Sequence, residues 1–209
     1  KNRAVRLMSP TGRAAKVISE KTKLEAYTIH KTIYSMDELK EYKETDEDGS
    51  ETFKYFFELS ENEDPANCVY IVDESSMLSN QYSEGEFFRF GSGELLFDLL
   101  KYVDFQNPNI RKQIIFIGDS AQLPPVNMDT SPALDNNYLK NLPFDLSIDK
   151  TEMTDVLRQK ENSGILNNAT VIRDQISEER FNKIQMDTDF SDMKPIIESE
   201  ISGTYLDFL

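Results

Sequence analysis

Apolar positions along this chain fall into two kinds of pattern. VRLM (Val5–Met8), CVYIV (Cys68–Val72) and IIFI (Ile114–Ile117) are short, near-continuous apolar runs, each stopped by polar or turn-forming residues: SPTG, DE and GD. Runs of this length bounded by turn signals predict buried strands, and LPFDLSID (Leu142–Asp149) supplies a fourth. Between the runs the spacing becomes helical. GRAAKVISEKT winds Ala14, Ala15, Val17 and Ile18 onto a helix beginning near Thr11, and AYTIHKTIYSMDELKEY carries helical spacing through Ile29, Ile33 and Met36. ELLFDLLKYV (Glu94–Val103) sets leucines three and four apart, an amphipathic helix. A last helix is predicted over SGILNNATVIRDQI, with Ile165, Leu166, Ala169 and Ile172 on one face. Apolar strands alternating with helices predict an α/β fold: a mostly parallel sheet covered by helices on both faces.

Two stretches break the alternation. Residues 44–64 hold nine acidic residues and one lysine, so the segment 44–66 is expected to be an acidic loop or exposed hairpin, with TFKYFFEL as its strand-like part. QYSEGEFFRFGSG is expected to be an irregular connection.

Charge follows the same division. The formal net charge is −15, which argues at first against a nucleic-acid partner. Yet residues 1–35 carry eight Lys or Arg against Glu20 and Glu25, an excess of six positive charges, and the acidic residues lie beyond them. Charge alone favours a solvated basic face beside an acidic surface. A single cysteine, Cys68, has no disulfide partner in the chain and suits a reducing, intracellular setting. No positively charged, apolar leader follows Lys1, so no secretory signal is expected, and no apolar run approaches the roughly 20 residues of a membrane helix.

Chemistry is concentrated at strand ends, where open parallel sheets bind their ligands. Asp73 and Glu74 follow VYIV directly. Adjacent carboxylates repel, and a hard cation with a phosphate partner, above all Mg²⁺, relieves them. An apolar strand ending in DE is a Walker B arrangement, the Asp holding Mg²⁺ and the Glu polarising the attacking water. The plainer reading is an acidic pair capping the next helix. IIFIGDSAQLPPV puts Asp119 and Gln122 at a second strand end, where a glutamine amide can sense a γ-phosphate. In TEMTDVLRQ, Arg158 is placed to act as an arginine finger, although alone it reads as a surface residue.

In order, SPTGRAAKVISEKT, YTIHKTIY, IVDESSMLS, FIGDSAQLPPV and TDVLRQKENSGIL resemble superfamily-one DNA helicases of the RecD, Dda and TraI kind, over roughly residues 5–172. The resemblance implies a RecA-like P-loop NTPase core that hydrolyses ATP and moves along single-stranded DNA, usually 5′ to 3′. It implies Asp73 as Mg²⁺ ligand, Glu74 as catalytic base, Gln122 as γ-phosphate sensor and Arg158 as a contact to that phosphate from the interdomain cleft. Pro10, Thr11 and Gly12 correspond to the loop that touches the DNA backbone; Lys16 belongs to the same basic segment, and Thr28 and His30 are a further DNA contact. A lone histidine on a helix is otherwise more often packed than functional. On this reading residues 1–150 are the first RecA-like domain and 151–209 begin the second or form a C-terminal helical segment, in a chain expected to be monomeric.

One part of that machinery is missing. The phosphate loop G-x-x-x-x-G-K-[ST] should precede the first strand, and no Gly-Lys dipeptide occurs in the chain. The expectation is a piece of a longer helicase that lies after the loop and is incomplete at both ends, unable alone to bind ATP tightly or to unwind DNA. The competing readings are a nucleic-acid-binding module without a motor cycle and, more remotely, a nucleotide kinase.

Overall fold

The protein is described here from a computed structural model covering residues 3–45, 51–107, 111–153, 163–180 and 186–193. It divides into two compact units, 1–150 and 151–209.

The first unit is α/β. Strands β1 (Val5–Ser9), β2 (Ala26–Thr28), β5 (Val69–Val72) and β7 (Gln113–Phe116) form a sheet in the order β2-β1-β5-β7, every pair parallel. Register places Leu7 beside Ile71 and Ile71 beside Ile115, so these share one face, while Met8, Val72 and Phe116 share the other. The second face carries the main core. Helix α3 (Leu95–Val103) buries Leu96, Leu99, Leu100 and Val103 against Met8, Tyr70 and Val72, joined by Ile29 and Ile33 of the short helix α2 (Ile29–Ile33). Helix α1 (Gly12–Thr22) packs against β1 and β2. Its buried Ala15, with Leu7 of β1, stands outside the main core cluster.

Ile114 and Phe116 of β7 pack against the main core, but on the face of Leu7 and Ile71 the cover does not reach β7. The third apolar run is an edge strand, and Ile115 and Ile117 are 46% and 45% exposed. The fourth predicted strand does not form. Residues 142–149 make no ladder; Leu142, Phe144, Leu146 and Ile148 still pack against the core. The run had the apolar content of a strand without a hydrogen-bonding neighbour, and β2 takes the fourth place in the sheet.

The largest departure from the predicted pattern follows α2. Helical spacing through Met36 and beyond is overruled: α2 ends at Ile33, and Tyr34–Thr45 is strand β3, antiparallel to β4 (Glu51–Leu59). The β3 sequence YSMDELKEYKET favours a helix locally, but β4 is rich in β-forming Phe, Tyr and Thr. Cross-strand pairs Leu39–Phe57, Tyr42–Lys54 and Lys43–Phe53 decide the outcome, the Lys43 ammonium lying 4.9 Å from the Phe53 ring centroid. Of the acidic segment 44–66, residues 51–59 are thus one arm of a long antiparallel pair whose other arm, β3, runs into the segment's start; 46–50 lie outside the described residues. In the supposedly irregular connection, Phe88–Phe90 (β6) adds a parallel third strand, giving the order β3-β4-β6.

In the second unit, helix α4 (Gly164–Ser177) is capped by Ser163 Oγ, which accepts from Leu166 N–H at 3.2 Å. Its inward residue is Asn168, which bonds Gly164 O and the backbone of Asp187. The predicted apolar face is not buried, since Ile165 is exposed. Arg158 lies outside the described residues. No helix among those residues is long and apolar enough to cross a membrane.

Candidate nucleotide and nucleic-acid site

Because the four core strands are parallel, their carboxyl ends share one edge. That edge gathers the loop Pro10–Gly12 after β1, Thr28 and His30 at the end of β2, Asp73 and Glu74 after β5, and Gly118 to Gln122 beyond β7.

The two carboxylates sit on a turn held from both sides. Asp73 N–H donates to Met8 O at 3.0 Å and Ser75 N–H donates to Ile117 O at 2.9 Å, tying the turn to β1 and to the exit of β7. Glu74 has φ 56° and ψ 37°, the left-handed region that costs a residue with a Cβ about 1 kcal/mol or more. It precedes the 3-10 turn Ser75–Met77 without making a side-chain capping bond to it. An acidic cap is therefore not what Glu74 supplies. Behind the turn, Ser75 Oγ donates to Val72 O at 2.7 Å and Ser131 Oγ donates to Ser76 O at 2.9 Å. These bonds fix the backbone and leave the carboxyl groups to other work.

Gly118 is required by the closeness of this packing. A methyl group there would lie 2.9 Å from Ser76 N and 3.0 Å from Leu134 Cδ1. Gly118→Ala is expected to destabilise the first unit by roughly 2 kcal/mol in urea unfolding, since backbone must move to admit it. A loss below about 0.5 kcal/mol, the usual range of an exposed substitution, would show that the turn and the β7 exit separate freely.

Sequence reasoning overlooked Ser9. It ends β1, one position past Met8, is fully buried, and its Oγ has no hydrogen-bond partner. The hydroxyl of Ser76 is in the same condition. Small hydroxyls among turn residues give no pattern in one sequence; only burial exposes them. Among the described residues no cluster of three or more His, Cys, Asp or Glu could hold a metal ion. The donor set therefore does not suit a cation caged wholly by protein. It is compatible with the kind of site in which one or two carboxylates hold Mg²⁺ while water and substrate phosphates complete the shell.

Gln122 N–H donates to Asp119 O at 3.0 Å, and Asp119 Oδ1 accepts from Ala121 N–H at 3.0 Å. Asp119 shapes the turn and Gln122 is left exposed on it.

Thr11 and Thr28 are both helix N-caps. Thr11 Oγ1 accepts from Ala14 N–H at 3.3 Å and Thr28 Oγ1 accepts from Lys31 N–H at 3.2 Å. Each hydroxyl keeps its own O–H to donate elsewhere. Nothing lies within 4 Å of a Cβ placed on Gly12, so the first turn of α1 is open. Lys16 is exposed on the same helix, with Glu20 Oε1 at 4.0 Å. His30 is only half-buried, its ring 5.1 Å edge-on from Phe90 and 5.7 Å from Tyr34, and burial lowers its pKa.

This parallel α/β sheet with acidic strand ends has the character of a P-loop NTPase core. Residues 1–89 match the family described as an AAA domain, which supports a RecA-like P-loop fold of the class that works on a nucleotide with Mg²⁺. The chain is also similar to an uncharacterized protein of Methanocaldococcus jannaschii, MJ1519, with 32% identity over 143 residues. That alignment takes in 65% of this chain and 10% of MJ1519, so the chain spans about a tenth of the curated relative's length.

Proposed function

We propose that this chain belongs to the motor core of an ATP-dependent DNA helicase of the RecD, Dda and TraI kind, in which ATP hydrolysis drives movement along single-stranded DNA. The observation that carries the reading is the gathering of four motif segments at one sheet edge: Asp73, Glu74 and Gln122 at the ends of β5 and β7, and Thr11, Thr28 and His30 at the ends of β1 and β2. Asp73 would hold Mg²⁺, Glu74 would activate water and Gln122 would sense the γ-phosphate; the family resemblance assigns Arg158, outside the described residues, to that phosphate as well. ATP with Mg²⁺ supplies phosphoryl-transfer chemistry when bound.

On the DNA side, the open first turn of α1 presents amides at a helix N-terminus, where phosphate is favoured. Pro10, Thr11 and Gly12 line that entry, Lys16 adds charge, and Thr28 and His30 extend the contact along the edge. The 151–209 unit opens the second ATPase domain.

The chain carries no Gly-Lys dipeptide, so these 209 residues lack the lysine and amide cradle for a triphosphate. That favours, for this stretch by itself, a nucleic-acid grip without turnover. Fluorescence anisotropy with a labelled oligo-dT tests it. The chain is expected to bind with an affinity that falls as salt rises, and Lys16→Glu to weaken binding and reduce the log–log salt slope by about one. Binding that ignores salt and is unchanged in Lys16→Glu and Thr11→Val would overturn the nucleic-acid assignment.

A further inference from the structure

Asp98 is a buried carboxyl group for which the nucleotide chemistry has no use. It lies in the first turn of α3, is 2% exposed, and faces the start of the hairpin rather than the strand ends. Its Oδ2 accepts two hydrogen bonds, from Tyr34 Oη at 2.7 Å and from Ser92 N–H at 2.9 Å. Tyr34 opens β3 and Ser92 follows β6, so one oxygen ties both outer strands of the second sheet to the helix that fills the main core. Burial, then the bond to Asp98, pushes the Tyr34 hydroxyl far above the ordinary phenol range, so it stays a donor.

The joint is tightly built. Gly91 has φ +47°, and a Cβ there would fall 2.1 Å from Asp98 Oδ2 and 2.7 Å from Tyr34 Cε1. Its N–H donates to Phe57 O at 2.9 Å. The Tyr34 ring also contacts His30. The Tyr34, Phe90 and His30 rings pack as a triad, with centroids 5.1 to 5.7 Å apart. Fixing the Tyr34 hydroxyl fixes one wall of the His30 pocket.

We infer that Asp98 and Tyr34 are positioning residues: the Asp98–Tyr34–Ser92 joint sets the His30 ring for contact with single-stranded DNA and couples it to the β3–β4–β6 sheet. This rests on the nucleic-acid reading of His30 above. Tyr34→Phe is the discriminating variant, because it keeps the ring against His30 and removes only the hydroxyl. Asp98→Asn is its companion, keeping an oxygen acceptor for both donors, and is expected to be the milder change.

His30 is the sole histidine, so its imidazole NMR signals need no assignment. Tyr34→Phe is expected to shift those signals and to weaken oligo-dT binding roughly threefold to tenfold, the scale of one lost hydrogen bond. In a His30→Ala background the same change is expected to add nothing, which a general loss of folding would not reproduce. His30 signals at wild-type positions in Tyr34→Phe, or a full additional loss in the double variant, would overturn the positioning role. A wild-type chain that binds no oligo-dT would remove the DNA contact and this role with it, whereas binding that survives with His30 unmoved sinks the joint alone.

Discussion

Glu74→Gln, placed in a chain that also carries a phosphate loop, is expected to bind ATP with near wild-type affinity and to hydrolyse it at least about 100-fold more slowly, within the usual range for loss of a general base. The substitution is close to isosteric, and the backbone bonds at Asp73 and Ser75 that hold the turn do not use the Glu74 side chain. On the proposed assignment binding should survive, because Asp73 and the loop, not Glu74, would anchor the metal and phosphates. Single-turnover ATP hydrolysis beside equilibrium nucleotide binding separates the two effects. A variant that hydrolyses at the wild-type rate would remove Glu74 from the base role; one that loses binding and hydrolysis equally would make it a ligand instead.

Asp64→Ala is expected to produce a large loss of stability, roughly 2–3 kcal/mol, far from the candidate site. The Asp64 side chain is 4% exposed, and it accepts from Arg6 at 2.6 Å and from the buried Tyr70 hydroxyl at 2.9 Å. Removing it takes an acceptor from both, leaving the Tyr70 hydroxyl with Asn62 as its remaining partner. Breaking a buried pair costs about 3–5 kcal/mol, and the figure is reduced here because the Arg6 side chain is 55% exposed and regains water. Asp64→Asn should cost less, since it keeps an acceptor for Tyr70. Urea unfolding of the three proteins checks the order; an alanine variant as stable as wild type would mean that water replaces both bonds.

The parts of the fold legible in the sequence were those set by local pattern. β1, β5 and α3 fall where their apolar runs and leucine spacing put them, and Thr11 caps α1 as its position suggested. Long-range pairing was not legible. Nothing in SMDELKEY announces a strand, because its partner residues lie across a hairpin and supply the β preference. The same holds for Tyr34 and Asp98, which meet across 64 positions. The run at 142–149 shows the opposite failure, with apolar content sufficient for the core but no neighbour to complete a ladder. For the candidate site, motif order brought Asp73, Glu74 and Gln122 forward as strand-end residues, while Ser9 and Gly118 emerge only once burial and close approach are known.

The backbone at Glu74 sets ruggedness against reactivity. Glycine would adopt φ 56° and ψ 37° free of the Cβ clash, and it is a single base change from glutamate. A screen for heat tolerance alone would drift toward that replacement, improving the scaffold while erasing the carboxyl group to which the proposed chemistry is assigned.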